Sequence, residues 1–384
     1  MQLSVIILNY NVRHFLELCV LSVQKALSNI DAEIIVVDNN SSDDSCQMMQ
    51  HRFPNIQLIR NSENLGFPKG NNIGVFQAKG DYICILNPDT VVAEDTFEKV
   101  LAFAKKQTNL GIIGCKLIDG RGNFLPESKR GIPTPWVAFT KIFGLFNYFP
   151  KSNFFNKYYA QHLQENETGK VAILVGAFMV MKRELYNEIG GFDENCFMYS
   201  DDIDLSYMVL QKGKYNYYFP ETTVIHYKGE STVKDETYMK RFQEAMNFFY
   251  KKHFKVSIFF SVFMKIGIVL FSFVKRMQGN PKPKNSPEHY ILISENEKLK
   301  EQLEFQLKKL VKRQDIAQSF SQKLQTEIIF DQNFLDFKNI IEVMQANKSS
   351  YNTFKILPKS ADFLIGSDSS FDRGEVVKIS NSAL

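Results

Sequence analysis

Apolar residues over the first hundred positions alternate between two rhythms. Short continuous runs at 3–8, Glu33-Ile-Ile-Val-Val-Asp38, Ile56–Arg60 and Tyr82–Leu86 read as buried β-strands. Between them apolar positions recur at helical spacing. Phe15, Leu18, Leu21, Val23 and Leu27 mark a helix within 13–28, and further helices are predicted over 44–52 and within Asn64–Lys79. Strands that are apolar throughout must be covered on both faces. The pattern therefore predicts an α/β fold, a mostly parallel sheet with helices on both sides. Ligands of such sheets bind outside the carboxyl ends of the strands. Asn9-Tyr10-Asn11, Asp38 and Asn87-Pro88-Asp89 all fall at those ends.

The rest of the chain changes character twice. Residues 120–160 crowd glycine, proline and aromatic residues around Pro126-Glu-Ser-Lys-Arg130 and Trp136, which fits either a packed surface loop or an acceptor-side lid. Val256 to Val274 is a nineteen-residue apolar stretch flanked by Lys251, Lys252, Lys255, Lys275 and Arg276. Its length suffices to span a bilayer, but Lys265 at its centre costs about 2.5–3.5 kcal/mol on insertion. Ser257, Ser261, Lys265, Ser272 and Arg276 align on one helical stripe, which suits a helix lying in the membrane interface better than a spanning or core helix. After the Gly279–Pro287 linker, a strand at Tyr290–Ser294, a helix over Glu295–Leu324, a strand at Glu327–Phe330, a helix near 334–346 and strands at Phe354–Ile356 and Phe363–Ile365 suggest a small α/β unit. The expected organisation is a main domain over 1–250, a basic apolar helix over 251–278, a linker over 279–287 and a C-terminal domain over 288–384.

Composition narrows the classes. With 384 residues, 44% of them hydrophobic, the chain can bury a large core, and about 150 residues per domain allows two or three domains. A formal net charge of +4 lacks the dense basic face of a nucleic-acid protein. Cys19, Cys46, Cys84, Cys115 and Cys196 form no CxxC pair, so neither zinc nor a disulfide framework is expected and a reducing compartment fits best. Met1-Gln-Leu-Ser-Val-Ile-Ile-Leu8 reads as the first buried strand, not a signal peptide.

The chemistry gathers at a few points. Asp89 follows a buried strand and a tight turn, where a carboxylate can hold Mg2+ or Mn2+. His226 ends the strand Thr223-Val-Ile-His226 and is expected either as a satisfied histidine or as a second ligand to the same metal. Ser200-Asp201-Asp202-Ile203-Asp204-Leu205 places three carboxylates just before a helix predicted over Leu205–Gln211. That exceeds capping needs, and repulsion raises at least one pKa, as suits a general base for a hydroxyl nucleophile. Asp202 is the expected base, with Asp201 and Asp204 orienting the acceptor or capping the helix. Asn9, Tyr10, Asn11 and Asp38 are placed to flank a base and ribose. Asn64, Gly66, Phe67 and Asn72 lie on a glycine-bearing loop fit to approach a diphosphate. That loop lacks the ending of a Walker motif. A nucleotidyltransferase would need a glycine-rich basic loop after the first strand, and Asn9-Tyr-Asn-Val-Arg-His14 does not supply one.

Taken in order, these residues resemble the family 2 inverting glycosyltransferases of the GT-A fold, in particular the rhamnosyltransferase-like branch. The resemblance covers about residues 1–250. It rests on Ser4-Val-Ile-Ile-Leu-Asn-Tyr-Asn11, Val36-Val-Asp-Asn-Asn-Ser-Ser-Asp43, Asn64-Leu-Gly-Phe67 with Asn72, Leu86-Asn-Pro-Asp-Thr90, Gly176-Ala, Gly190-Gly-Phe-Asp-Glu194, Asp201-Asp202 and His226 with Gly229 and Ser231. It implies transfer of a sugar from dTDP-rhamnose or a UDP-sugar to a hydroxyl of a lipid-linked glycan at the cytoplasmic face of the inner membrane. By resemblance, Asn87-Pro-Asp89 stands for the family's DxD motif, and Gly191, Phe192 and Asp193 shape the acceptor side. Many relatives carry an arginine four residues after the last aspartate of the acidic block; this chain has Met208 there. The tail more faintly resembles a Rossmann-like appendage. The competing expectation, favoured by Met208, is an inactive membrane-associated scaffold that binds nucleotide or glycan.

The interfacial helix makes one expectation testable by cell fractionation. Lys265→Leu removes the central charge and should tighten membrane attachment; wild-type protein found wholly in the soluble fraction at low salt would rule the helix out.

Overall fold

The computed structural model describes residues 1–134, 159–160, 162–228, 236–254, 287–316, 324–368 and 374–379. The chain opens as β1 (Leu3–Asn9), α1 (Arg13–Ala26), β2 (Ala32–Asp38), α2 (Ser45–Arg52), β3 (Gln57–Arg60), α3 (Gly66–Gln77) and β4 (Tyr82–Leu86). β1 pairs in parallel with both β2 and β4, and β2 with β3. β1 and β4 are buried along their whole length, which is why their sequences carry no polar alternation. The register places Asn9 beside Asp38, so the carboxyl ends of neighbouring strands lie level.

Beyond β4 the sheet departs from the expected, mostly parallel arrangement. The next elements are β5 (Thr90–Val92), α4 (Thr96–Lys105), β6 (Leu110–Ile118), β7 (Gly169–Val171), β8 (Phe178–Lys182), α5 (Arg183–Glu188), α6 (Asp201–Gln211), β9 (Tyr215–His226) and α7 (Glu236–His253). The sheet order is β3-β2-β1-β4-β8-β6-β9-β5, with β7 also on β9. β8 runs antiparallel to β4, and β5 and β7 antiparallel to β9, while β6 and β9 are parallel. The sheet is therefore mixed. A continuous apolar run reports burial on both faces but not strand direction, so the sequence pattern could not distinguish the two.

A second sheet follows. Its elements are β10 (His289–Ile293), α8 (Glu297–Leu307), β11 (Val311–Arg313), β12 (Thr326–Asp331), α9 (Phe337–Ala346), β13 (Asn352–Leu357), β14 (Phe363–Gly366) and β15 (Glu375–Lys378). The order is β11-β10-β12-β13-β14-β15, parallel as far as β13 and antiparallel beyond. The helix expected to reach Leu324 ends at Leu307, where Lys308 turns left-handed at φ 51°. Asn296 caps its start by accepting from the Leu299 N–H at 3.2 Å. β15 was not foreseen.

The two sheets share one apolar core. Val12, Phe15, Leu18, Val91, Ala93, Ile118 and Ile225 from the first cluster with Ile293, Phe330, Phe337, Ile340 and Phe363 from the second. Polar contacts fix the fit. The Glu94 carboxylate accepts from the backbone N–H groups of Phe337 and Lys338, both at 2.8 Å, capping α9 from across the interface. Lys338 also reaches Asp95 at 2.8 Å.

Among the described residues, no helix is long and apolar enough to cross a membrane. The apolar stretch 256–274, and with it nearly all of the expected membrane helix, lies outside the described residues, as does 135–158 of the aromatic insert.

An N-cap carboxylate lost from a buried helix end costs about 1–2 kcal/mol. Glu94→Ala should therefore lower the melting temperature by roughly 2–8 °C. Glu94→Gln, which keeps one acceptor, should fall between it and wild type in a thermal melt.

Candidate active site

The strand ends of the first sheet converge on one edge. Asn9 is buried there and donates to Asp38 Oδ1 at 2.8 Å and to Ser41 Oγ at 3.0 Å. Asp38 also accepts from the Ser41 hydroxyl at 2.6 Å and the Ser41 N–H at 2.9 Å. Much of the acceptor capacity of Asp38 is thus used to build the turn after β2. Asn11, left-handed at φ 56°, accepts from the Ser42 N–H at 2.7 Å. Tyr10 stands exposed beside them.

The glycine loop is tied down as firmly. Asn64 Oδ1 accepts from the Gly66 N–H at 3.0 Å, and the Phe67 N–H donates to the Phe197 carbonyl at 3.0 Å. Gly66 adopts φ +80°, and a Cβ there would lie 2.7 Å from that same carbonyl; no other residue fits without displacing the loop. Asn72, expected near the donor, spends its amide on the 190–194 loop. It donates to the Phe192 carbonyl at 2.9 Å and Glu194 at 3.0 Å, and accepts from the Tyr186 hydroxyl at 2.5 Å and the Phe192 N–H at 3.1 Å. Its place is to fix that loop, with Phe67 packed edge-on to Phe192.

Asp89 and His226 do meet. β5 pairs antiparallel with β9 so that Thr90 lies opposite His226, and the His226 Nε2 lies 3.4 Å from Asp89 Oδ1 and 3.4 Å from the Asn87 amide nitrogen. Both Asp89 and His226 are buried. Among the described residues, Asp89 Oδ1, Asn87 Oδ1 and His226 Nδ1 have no hydrogen-bond partner. Such groups are costly to bury unpaired, and two oxygens with an imidazole are donors that Mg2+ or Mn2+ accepts. Among the described residues no group of three or more His, Cys, Asp or Glu side chains is gathered for a metal; the Asn87 atom that faces His226 is the amide nitrogen, so a third donor requires the Asn87 amide to turn its oxygen inward. Thr90 and Cys19 hold the turn through the Asn87 carbonyl, at 2.8 and 3.6 Å.

The acidic block lies inside α6, not before it: the helix begins at Asp201, so all three aspartates occupy its first turn. Helix-start N–H groups favour charge there. Asp202 Oδ2 accepts from the Arg130 guanidinium at 2.5 Å and from the Gly176 N–H at 3.1 Å. Burial and the neighbouring Asp202 charge push Asp201 up to about 7. Asp204 is sequestered: Lys252 meets it at 2.8 Å and His253 at 2.5 Å, both from the last turn of α7. Lys252 also pairs with Asp193 at 2.7 Å. Asp204 therefore anchors α6 to α7, and Asp193 joins the same anchor. Gly190 and Gly191, at φ +83° and +68°, make the turn beside it.

Two functional groups escaped the sequence. Arg130 was visible only as part of a loop, with no spacing linking it to Asp202. Lys252 counted only as a flanking charge, yet its Nζ lies 3.6 Å from Met208 Sδ. A cation from α7 therefore stands beside Met208.

Residues 4–190 match the model of Glycosyl transferase family 2. The chain is 26% identical over 213 residues to the N-acetylglucosaminyl-diphospho-decaprenol L-rhamnosyltransferase of Mycobacterium tuberculosis, covering 53% of this chain and 68% of that one. It is 27% identical over 226 residues to the rhamnosyltransferase WbbL of Escherichia coli, covering 53% and 78%. Among solved structures it is similar to the mannosyltransferase PcManGT from Pyrobaculum calidifontis in complex with GDP-Man and Mn2+, with a TM-score of 0.47 and 16% identity over 73% of this chain and 76% of that one. The similarity to glycosyl transferase family 2 therefore spans residues 4–190, a little under half of the chain.

Proposed function

We propose that the protein is an inverting, metal-dependent glycosyltransferase of the GT-A type. It would move a sugar, rhamnose by analogy with the named relatives, from dTDP-rhamnose or a UDP-sugar to a hydroxyl of a lipid-linked glycan, in the synthesis of a bacterial surface polysaccharide. The observation that carries this is the convergence of Asp89, Asn87 and His226 at the edge of the sheet, with three buried polar atoms left unpartnered.

Asp89 and His226, with the Asn87 amide oxygen, would hold Mg2+ or Mn2+. A divalent cation held there supplies charge neutralisation for the departing nucleoside diphosphate. The chain's own groups do the rest. Asn9, Asp38 and the turn around Ser41 form the wall on which the nucleoside rests, and Gly66 lets the backbone approach the diphosphate. Asp202 takes the proton from the acceptor hydroxyl as that oxygen attacks the anomeric carbon from the face opposite the leaving group, inverting the centre. Phe192 and Gly191 shape the acceptor side, where Asn72 holds their loop. The basic apolar segment 251–278 would keep the enzyme at the cytoplasmic face of the inner membrane, near lipid-linked acceptors. Residues 288–384 form a second α/β domain in this proposal, packed on the first through their common core.

Release of nucleoside diphosphate from a panel of nucleotide sugars, with Mn2+ or Mg2+ and with EDTA, tests the reaction. Release should occur from one donor, cease in EDTA, and fall by at least about 100-fold in Asp89→Ala. Metal-independent release, or an unaffected Asp89→Ala, would exclude the metal role. No release from any donor, even with a lipid-glycan extract added, would leave a scaffold.

The acidic pair sets the pH dependence. Burial and the Asp202 charge push the Asp201 carboxyl up to about 7, so raising the pH through that value sets a second negative charge beside the proposed base. The transfer rate should therefore change as pH passes through about 7. Asp201→Asn cannot ionise and should abolish that step in the pH–rate profile; a step that stays in place would show that Asp201 is not the titrating group.

A further inference from the structure

We propose that Arg130 is a positioning residue for the base: with the Gly176 N–H it claims Asp202 Oδ2, leaving Oδ1 as the atom that takes the acceptor proton. The inference rests on the glycosyltransferase reading above and adds a residue that the sequence pattern did not single out.

The geometry forms a bracket. Arg130 follows the 3₁₀ turn Pro126–Ser128. Its backbone is tied to Ile173 by a reciprocal pair of hydrogen bonds, each 2.9 Å. The segment so anchored also supplies the other contacts, because Arg130 Nη2 donates to the Leu174 carbonyl at 3.0 Å and Gly176 presents its N–H to Asp202 at 3.1 Å. Arg130 Nη2 and the Gly176 N–H therefore reach the same carboxylate oxygen from segments locked to each other, the arginine at 2.5 Å. Both of these contacts fall on Oδ2 and neither on Oδ1.

The pair is also costly enough to need a reason. Both side chains are about nine-tenths buried, at 11% and 12% exposure, and a buried ion pair seldom stabilises a fold more than apolar packing would. What it does supply is orientation, together with a fixed positive charge beside two adjacent carboxylates. The charged and titratable groups packed around Asp202 among the described residues are Asp201 on its own helix, Arg130 across from it, Cys196 near Ser200, and Asp204, which Lys252 and His253 engage from α7. In the reaction, the acceptor O–H proton passes to Oδ1 while the oxygen–carbon bond forms. The bond from the sugar to the diphosphate breaks at the same time, and its electron pair leaves with the nucleoside diphosphate.

The test compares wild type, Arg130→Met and Arg130→Lys in two readouts. The first is the pH–rate profile with whichever donor of the panel wild type turns over. The second is the 13C-carboxyl spectrum of labelled aspartates at one fixed pH, with the Asp202 resonance assigned through Asp202→Asn, which needs no turnover. Arg130→Met removes a donor from the Asp202 carboxylate and should move that resonance while leaving the Asp204 resonance in place. It should lower kcat at pH 7 at least tenfold while leaving the donor KM within about threefold, and Arg130→Lys should change both readouts in the same direction by less. An unchanged Asp202 resonance and an unchanged kcat in a folded variant would overturn the proposal and leave Arg130 a packing residue. Should Arg130→Met fail to fold, Arg130→Lys carries both readouts. If wild type turns over no donor, the transferase reading fails separately, and the carboxyl spectrum still decides the role of Arg130.

Discussion

The antiparallel pairing of β5 with β9 is the contact on which the site depends. It brings together residues as distant in sequence as Asn87 and His226, which are 139 positions apart. It does so by setting Thr90 opposite His226, so that the turn after β4 delivers Asp89 to the imidazole. A one-residue slip in that register would send His226 to the opposite face of the sheet and dissolve the group. The long strand β9 also holds β6 and β7, so the same element that carries His226 organises half of the sheet. Chemistry and architecture are therefore not separable along β9.

Around that contact the protein repeatedly places charge where water is scarce and then engages it. Asp202 meets Arg130, Asp204 meets Lys252 and His253, and Asp38 meets the Ser41 turn. Asp89 differs: its buried Oδ1 lies 3.4 Å from His226 Nε2 and, among the described residues, accepts no hydrogen bond.

Much of this was legible in the sequence. Continuous apolar runs located β1, β2 and β4, and the order of Asn9, Asp38 and Asp89 at their ends marked the edge where the site lies. His226, closing an apolar strand, was open to two readings, a satisfied histidine or a partner of Asp89, and the fold sets the two side chains 3.4 Å apart. What stayed hidden was relational. The direction of β8 and β5 leaves no trace in hydrophobic periodicity, because burial on both faces looks the same whichever way a strand runs. Arg130 and Lys252 are surface-like residue types whose burial depends on partners far along the chain. The long charged run after Glu295 suggested one helix, yet Lys308 takes a left-handed turn and the chain re-enters the second sheet as β11.

The core shared by the two sheets bears on how this sequence can change over time. Val91, Ala93, Ile118 and Ile225 pack in one cluster with Phe330, Phe337 and Ile340, so an altered volume on one side must be matched on the other. The two halves are thus bound to diverge in concert. Recombination at the junction between them would join surfaces that had not been selected against each other, and the chimera would inherit a mismatched seam behind the strand that carries His226.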